Sequence, residues 1–290
     1  MLRLELKAYA KINIGLRVTG RRSDGYHEIE TVFQQIDIFD DIVVEKLSPG
    51  QIVVETTNPE LPTGEGNICF RAAEKVREAS GVNFGVKIFI KKNIPVGAGL
   101  GGGSSDAAAV IRGINELFQL NLADQKRQNI ARELGADVVF FLLGGTAWAT
   151  GIGDVLQPVS SMPHFWGVLV YPNIEISTAW AYKNINFSLT KTKKIIKLES
   201  LFEKRESMRE FFQNDLEIVV FDKYPELAEI KEKFYQSGAF FASMSGSGSS
   251  VYGLFTDIAG AENAQASFGD RYRTFLIQPF EKTSITRGAM

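Results

Sequence analysis

The chain has 290 residues, 44% of them hydrophobic, with 32 basic against 34 acidic side chains and a net charge of −2. That length buries a substantial core in one large domain or two ordinary ones, and the near-neutral balance gives no general attraction to nucleic acid or to an anionic membrane. The lone cysteine, Cys69, excludes an intrachain disulfide, and the two histidines, His27 and His164, cannot build a His/Cys zinc cluster unless carboxylates do most of the work, so the expected setting is reducing and cytoplasmic.

At the N-terminus Leu2, Leu4 and Leu6 alternate with Arg3, Glu5 and Lys7, a strand pattern, and no long apolar run resembles a signal peptide or a membrane span. Strands are expected over 2–7, 10–18, 31–37, 41–47, 51–56 and 84–92. In the second of these Ile12, Ile14, Leu16 and Val18 face a core while Lys11, Asn13 and Gly15 share the opposite face. A cation, an amide and a bare glycine on one face fit the wall of a ligand cleft, and they fit a solvated sheet face equally well. Asp24-Gly25 then marks a turn that presents Tyr26 and His27, which can simply be exposed. A helix is expected over 67–80: Cys69, Ala72, Ala73 and Val76 recur at helical spacing, Asn67 can cap its start and Gly81 its end. Cys69 is most simply a buried small hydrophobe there.

The most informative segment follows: Pro95-Val96-Gly97-Ala98-Gly99-Leu100-Gly101-Gly102-Gly103-Ser104-Ser105-Asp106, running into an alanine-rich helix expected over 105–119. Glycines let consecutive N–H groups approach an anion, and the helix start adds about half a positive charge, so the loop reads as a phosphate and nucleotide site. Ser104, Ser105 and Asp106 supply helix-start chemistry. Gly97-x-Gly99-x-x-Gly102 also fits the dinucleotide-binding pattern, but the acidic residue expected about 20 positions on, at a strand end, has no counterpart, since Glu116 and Asp124 lie in or beside helix-like sequence. No Gly-Lys-Ser/Thr follows, so the phosphate-loop NTPase pattern fails as well.

Another helix is expected over 123–134 and strands over 145–159 and 166–171. From 177 to 236 the chain turns helical and charge-rich, with Lys191, Lys193, Lys194 and Lys197 read as a solvated face. The tail, 239–280, alternates strand and helix signals and contains Ser243-Met244-Ser245-Gly246-Ser247-Gly248-Ser249-Ser250 before a strand over 251–255. Alone, that stretch is a turn, and it lacks the Gly-x-Ser-x-Gly spacing of a hydrolase nucleophile. The class is α+β, with a boundary near 155–165.

Lys11-x-Asn13, Asp24-Gly25-Tyr26-His27, the 95–105 loop, Gly135-Ala136-Asp137-Val138 and Ser245-Gly246-Ser247-Gly248 occur in the order and spacing of a GHMP kinase, which the chain resembles over its whole length. The Tyr-His pair and the triple glycine with double serine point, within that family, to the branch that phosphorylates the 2-hydroxyl of 4-diphosphocytidyl-2-C-methyl-D-erythritol in the non-mevalonate route to isoprenoid precursors. Galactokinases, homoserine kinases and mevalonate kinases share the phosphate loop only in outline.

The resemblance implies a two-domain α+β fold, an N-terminal kinase domain over 1–158 and a C-terminal one over 159–290, with ATP in the cleft between them and the small diphosphocytidyl methylerythritol substrate beside it. It implies Lys11 and Asp137 as the catalytic pair, and Asn13, Tyr26, His27, Tyr182, Gly246 and Ser247 as substrate contacts, Tyr182 where an aromatic meets the cytosine. Pro95, Val96, Gly97, Ala98, Gly99, Leu100, Gly101, Gly102, Gly103, Ser104 and Ser105 are implied as the nucleotide loop. Mg2+ is expected with ATP; the sequence offers no carboxylate cage for it, only the hydroxyls of Ser104 or Ser105, and no metal ligand is assigned. Val139 stands where family members commonly carry proline. Two competing functions stay open: a GHMP kinase acting on another alcohol, and a noncatalytic nucleotide sensor, which is expected to have lost Lys11 or Asp137. Neither a nucleic acid nor a membrane partner is expected, and the sequence leaves the oligomeric state open.

Overall fold

The computed structural model describes residues 2–159, 163–185 and 205–280; the lysine cluster at 191, 193, 194 and 197 lies outside the described residues. The chain forms two compact units built from separated segments. The first takes the described residues of Met1–Ala10, Ile38–Val96 and Gly101–Leu143, the second those of Lys11–Asp37, Gly97–Leu100 and Gly144–Met290. Two long paired strands, β1 (Arg3–Arg21) and β2 (His27–Leu47), run through both. Sequence patterning splits each of them in two. The middle of β1 is buried on both faces, which erases the alternation that marks a strand. In β2 the break comes from Asp40, a carboxylate on the core-facing phase of the strand and fully buried.

In the first unit β3 (Ile52–Thr56) pairs parallel with β4 (Gly85–Lys91), which pairs antiparallel with the Asp41 to Leu47 stretch of β2. Four helices belong to this unit: α1 (Ile68–Ser80), α2 (Gly102–Leu117), α3 (Asp124–Leu134) and α4 (Ala136–Leu143). The ends of α1 are as expected: Asn67 Oδ1 accepts from Cys69 N at 2.8 Å, Gly81 takes a left-handed φ of 69°, and Cys69 is buried. Helix α2 buries Ala107, Ala108, Val110, Ile111 and Ile114, each branched side chain contributing about 1.5–3 kcal/mol. Gly113 permits its close approach, since a Cβ there would lie 2.8 Å from Leu6 Cδ1 and 3.0 Å from Val44 Cγ2.

Two expectations are corrected here. Helix α2 starts at Gly102, three residues before the expected start, with Gly101 as a left-handed cap that makes no side-chain hydrogen bond. Thus Ser104, Ser105 and Asp106 sit inside the helix and do not cap it. Taken alone, Asp137 after Gly135 reads as a helix cap ahead of the apolar run Val138 to Leu143; that run is helix α4, and Asp137 lies inside its first turn, not before it.

In the second unit the Thr31 to Gln34 stretch of β2 pairs antiparallel with β5 (Thr146–Thr150). The single strand expected over 145–159 is a hairpin of β5 and β6 (Val155–Pro158), turned at Gly151 and Gly153, both with positive φ. The other sheet of this unit is antiparallel, in the order β10 (Arg273–Ile277), β7 (Trp166–Tyr171), β9 (Val251–Phe255) and β8 (Phe241–Met244). Helices α5 (Thr178–Asn184), α6 (Arg205–Phe211), α7 (Glu217–Lys223), α8 (Pro225–Gln236) and α9 (Ile258–Phe268) complete it among the described residues. Phe234, Val168, Val170, Val251, Leu227 and Phe268 share its core, and every residue of β9 is buried. Among the described residues no helix is long and apolar enough to cross a membrane.

Candidate active site

In the second unit, Lys11 and Asn13 leave the core-facing row of β1 together, and both are buried rather than solvated. Lys11 Nζ donates to Asn13 Oδ1 at 2.5 Å and lies 5.1 Å from the centroid of the Phe33 ring. The other end of the carboxamide donates from Nδ2 to Thr31 Oγ1 at 3.0 Å, and Thr31 in turn donates to Gly15 O at 2.5 Å. This relay gives Thr31 its acceptor and donor roles and so fixes Asn13 with its oxygen toward the ammonium. The Asn13 backbone is held as firmly: Tyr252 Oη donates to its carbonyl at 2.6 Å, and its N–H donates to Ser245 Oγ at 3.3 Å. Complete burial raises the Tyr252 phenol well above its ordinary pKa, so it stays a neutral donor.

The middle of the glycine loop is tied to the same cluster. Lys11 N donates to Leu100 O at 3.0 Å, Ser250 N to Ala98 O at 3.2 Å, and Ser245 Oγ to Gly99 O at 2.9 Å. Gly99 is required twice over: its φ is 76°, and a Cβ would fall 2.0 Å from Ser245 O. The late loop turns left-handed at Gly246, where a Cβ would sit 3.4 Å from Asn13 Oδ1, 3.4 Å from Gly99 O and 3.6 Å from Lys11 Nζ. An ammonium, an amide oxygen and two glycine backbones therefore converge on one small volume. Ser247 bonds through its hydroxyl to Thr178 Oγ1 at 2.8 Å, at the start of α5. One turn further on that helix, the Tyr182 ring stacks on His27 with centroids 5.2 Å apart and planes at 28°. Burial, and then the charge of Arg21, push the His27 imidazole below its ordinary pKa. Tyr26, two residues past the Asp24 carboxylate that accepts its N–H, is 61% exposed.

The flanks of the glycine loop belong to the first unit. Pro95 is buried, whereas Val96 is exposed. Ser105 Oγ donates to Tyr9 O at 2.7 Å and is buried, so this hydroxyl pins α2 to β1 instead of facing outward; Ser104 is half-buried. Beneath the first turn of α2, Lys92 Nζ bonds to Asp40 Oδ2 and, at 2.9 Å, to Asp106 Oδ2, while Asp40 Oδ1 accepts the N–H groups of Asn93 at 2.5 Å and Ile94 at 2.9 Å. Burial, opposed by Lys92 and reinforced by Asp40, pushes the Asp106 carboxyl up to about 8. Burial lowers Lys92, but the charges of Asp106 and Asp40 together outweigh it, so its ammonium is held above its ordinary range. Asp137 is half-buried in the first turn of α4. Arg112 Nη1 donates to Phe141 O at 2.6 Å near the other end of that helix, and Val139 is buried within it.

The family description "GHMP kinases N terminal domain" matches residues 67–145, and "GHMP kinases C terminal" matches residues 195–274. The chain is 46% identical over 278 residues to a 4-diphosphocytidyl-2-C-methyl-D-erythritol kinase of Prosthecochloris aestuarii, covering 94% of this chain and 96% of that one. It is 43% identical over 275 residues to the enzyme of that name from Chlorobium chlorochromatii, covering 93% and 95%. A crystal structure of 4-(cytidine 5'-diphospho)-2C-methyl-D-erythritol kinase superposes with a TM-score of 0.83 at 35% identity, covering 96% of this chain and all of the other. The chain belongs to the 4-diphosphocytidyl-2-C-methyl-D-erythritol kinase family of the GHMP kinases.

Within this kinase family member sequence reasoning misses Thr31, Tyr252, Thr178 and Asn214. Each is a polar residue whose partner lies far away in the chain, so no local spacing signals it. Asn214 Nδ2 donates to Met244 O at 2.9 Å and to Gly246 O at 2.8 Å, on either side of Ser245. The Asp40, Lys92 and Asp106 cluster is missed for a related reason. Asp40 breaks a strand pattern, Lys92 resembles a surface lysine, and only the fold brings them together.

Proposed function

We propose that the chain is an ATP-dependent kinase that transfers the γ-phosphoryl group to the 2-hydroxyl of 4-diphosphocytidyl-2-C-methyl-D-erythritol. The observation that carries this reading is the convergence of Lys11 Nζ, Asn13 Oδ1 and Gly99 O on Gly246. It sets a buried cation against the glycine loop and a polar strand face. The loop suits a triphosphate: Gly97, Gly99 and Gly101 all hold positive φ, and α2 begins without a side-chain cap, leaving first-turn N–H groups for an anion. The residues Pro95 to Ser105 are the proposed nucleotide loop, with the Ser105 hydroxyl excepted because Tyr9 O takes it.

Among the described residues no group of three or more His, Cys, Asp or Glu side chains is placed to hold a metal ion. Mg2+ would arrive on the nucleotide phosphates with its own waters, the usual habit of that ion, and would supply charge neutralisation there. The protein then contributes alignment. In a loose, charge-spread phosphoryl-transfer transition state most of the rate comes from position and electrostatics. Asp137 accepts the proton of the 2-hydroxyl, late, because a carboxylate is a weak base toward an alcohol. Lys11 stabilises the developing alkoxide. Asn13, Gly246 and Ser247 hold the substrate, and the His27 and Tyr182 rings with Tyr26 offer flat faces for its cytosine. The same proposal assigns 1–158 and 159–290 to N- and C-terminal kinase domains, a division on either side of which the two family matches fall. A cytoplasmic setting and the absence of nucleic-acid or membrane partners complete it, supported by a single, buried thiol and the net charge of −2.

The test is ADP release with ATP, Mg2+ and a panel of alcohols: the diphosphocytidyl compound, homoserine, mevalonate and galactose, with phosphorus NMR of the product. A new phosphate monoester on the diphosphocytidyl compound alone is the expected result. Turnover of another alcohol in preference identifies a different GHMP kinase, and ATP binding without turnover of any identifies a sensor.

A further inference from the structure

Residues 213–216, between α6 and α7, and Glu217, the first residue of α7, bond to β1 on one side and to the 243–246 stretch on the other. Leu16 N donates to Gln213 O at 2.9 Å, Asp215 N to Leu16 O at 2.8 Å, and Val18 N to Asp215 Oδ2 at 2.8 Å, so the segment pairs with β1 through an isolated parallel bridge between Leu16 and Asn214. On its other side Glu217 Oε1 accepts from Met244 N at 2.8 Å and from Ser243 Oγ at 3.1 Å. Between these contacts stands Asn214, 2% exposed. Its carboxamide does two separate jobs. Oδ1 accepts from Leu216 N at 3.0 Å, just ahead of α7. Nδ2 donates to the carbonyls of Met244 and Gly246, which face one donor because the chain turns left-handed at Gly246, φ 58°.

Those two carbonyls bracket Ser245, whose own hydroxyl bridges Asn13 N and Gly99 O. The path of two peptide units is thereby set from one buried amide. We propose that Asn214 is the positioning residue of the 245–248 loop: its NH2 group sets where Gly246 and Ser247 present themselves to the alcohol substrate. The proposal rests on the reading of Gly246 and Ser247 as substrate contacts. The loop's own bonds, Ser245 N to Ser250 O at 2.9 Å and Gly248 N to Ser245 O at 3.0 Å, close its turn but leave the Gly246 carbonyl to Asn214.

Asn214→Asp separates the two jobs, since it keeps the oxygen that takes Leu216 N and sets a second oxygen against the two carbonyls. The full-length variant is compared with wild type by steady-state kinetics, varying each substrate, and by amide hydrogen exchange of peptides covering 244–250 and 217–223. Expected are a rise of about tenfold or more in KM for the diphosphocytidyl substrate, with kcat and the KM for ATP moving less than about threefold, and faster exchange in 244–250 alone. Asn214→Ala, which carries no repelling oxygen, is expected to raise the same KM and to loosen both peptides. A KM within about twofold of wild type in both variants overturns the proposal. So does exchange that rises equally in both peptides of Asn214→Asp, or failure of both variants to fold, because either outcome makes Asn214 a core amide only. Should the wild type not turn over the diphosphocytidyl compound, the functional reading fails by itself, and the exchange pattern still decides whether Asn214 places the loop.

Discussion

Thr31 Oγ1 accepts the Asn13 amide N–H at 3.0 Å and, by donating to Gly15 O at 2.5 Å, can act toward Asn13 only as an acceptor. The carboxamide oxygen is consequently left for the Lys11 ammonium, 2.5 Å away. Thr31→Val keeps the shape and deletes the acceptor, leaving a buried N–H without its partner, at a cost of about 1–3 kcal/mol. Activity, kcat/KM, is expected to fall about tenfold, and Thr31→Ser to recover most of it. Unchanged kinetics in Thr31→Val would show that the Asn13 orientation does not depend on this hydroxyl.

Gly99 and Gly238 make a controlled pair. Both have positive φ, 76° and 89°, but a Cβ at Gly99 meets Ser245 O at 2.0 Å, whereas at Gly238 nothing lies within 4 Å. Gly238→Ala is expected to cost only the left-handed backbone, about 1–2 kcal/mol in urea unfolding. Gly99→Ala adds overpacking against a main chain that cannot rotate away, about 1–3 kcal/mol more, and its ATP affinity falls with it. Equal losses in the two variants would remove the steric part of the argument.

Asp137→Asn tests the proposed general base. The isosteric amide keeps the first turn of α4 and loses the proton acceptor, so kcat is expected to drop by about 10² to 10⁴ with little change in thermal midpoint. Near-full turnover in this variant takes Asp137 out of the role.

The Asp106 carboxyl titrates at about 8 in the folded chain, against 3.8 for the free group. Between those values the native state binds a proton that the unfolded state has released, so this group makes stability fall as pH rises from about 4 to 8 and has no further effect above. Asp106→Asn removes that slope and keeps an oxygen for Lys92. Its melting temperature relative to wild type is expected to climb by several degrees between pH 5 and pH 8 in thermal scans; a difference that stays constant across that range contradicts a neutral Asp106.

Features written in neighbouring residues are legible in the amino-acid order. Asn67 and Gly81 bound α1 as their chemistry requires, because a cap bonds within its own turn. The glycine loop ahead of a helix is equally plain, but its boundary is not: Gly102 and Gly103 read as loop and are helical. A Cβ on Gly102 would meet Lys92 Nζ at 2.9 Å, a constraint set by a residue ten positions earlier in the chain and by Asp40 on another strand. Family resemblance assigns Tyr182 to the site, and its ring meets His27, 155 positions away in sequence.

The amino-acid order alone determined the α+β class, the glycine-rich loop ahead of a helix and the family, since short-range spacing and residue type carry those. Tertiary structure alone decided that Lys11 and Asn13 are buried and not solvated, that Thr31, Tyr252 and Asn214 hold them and the late loop in place, and that Asp106 sits beside Lys92 and Asp40. Buried polar groups must find partners wherever the fold supplies them, and those partners come from segments whose separation along the chain bears no relation to their distance in space.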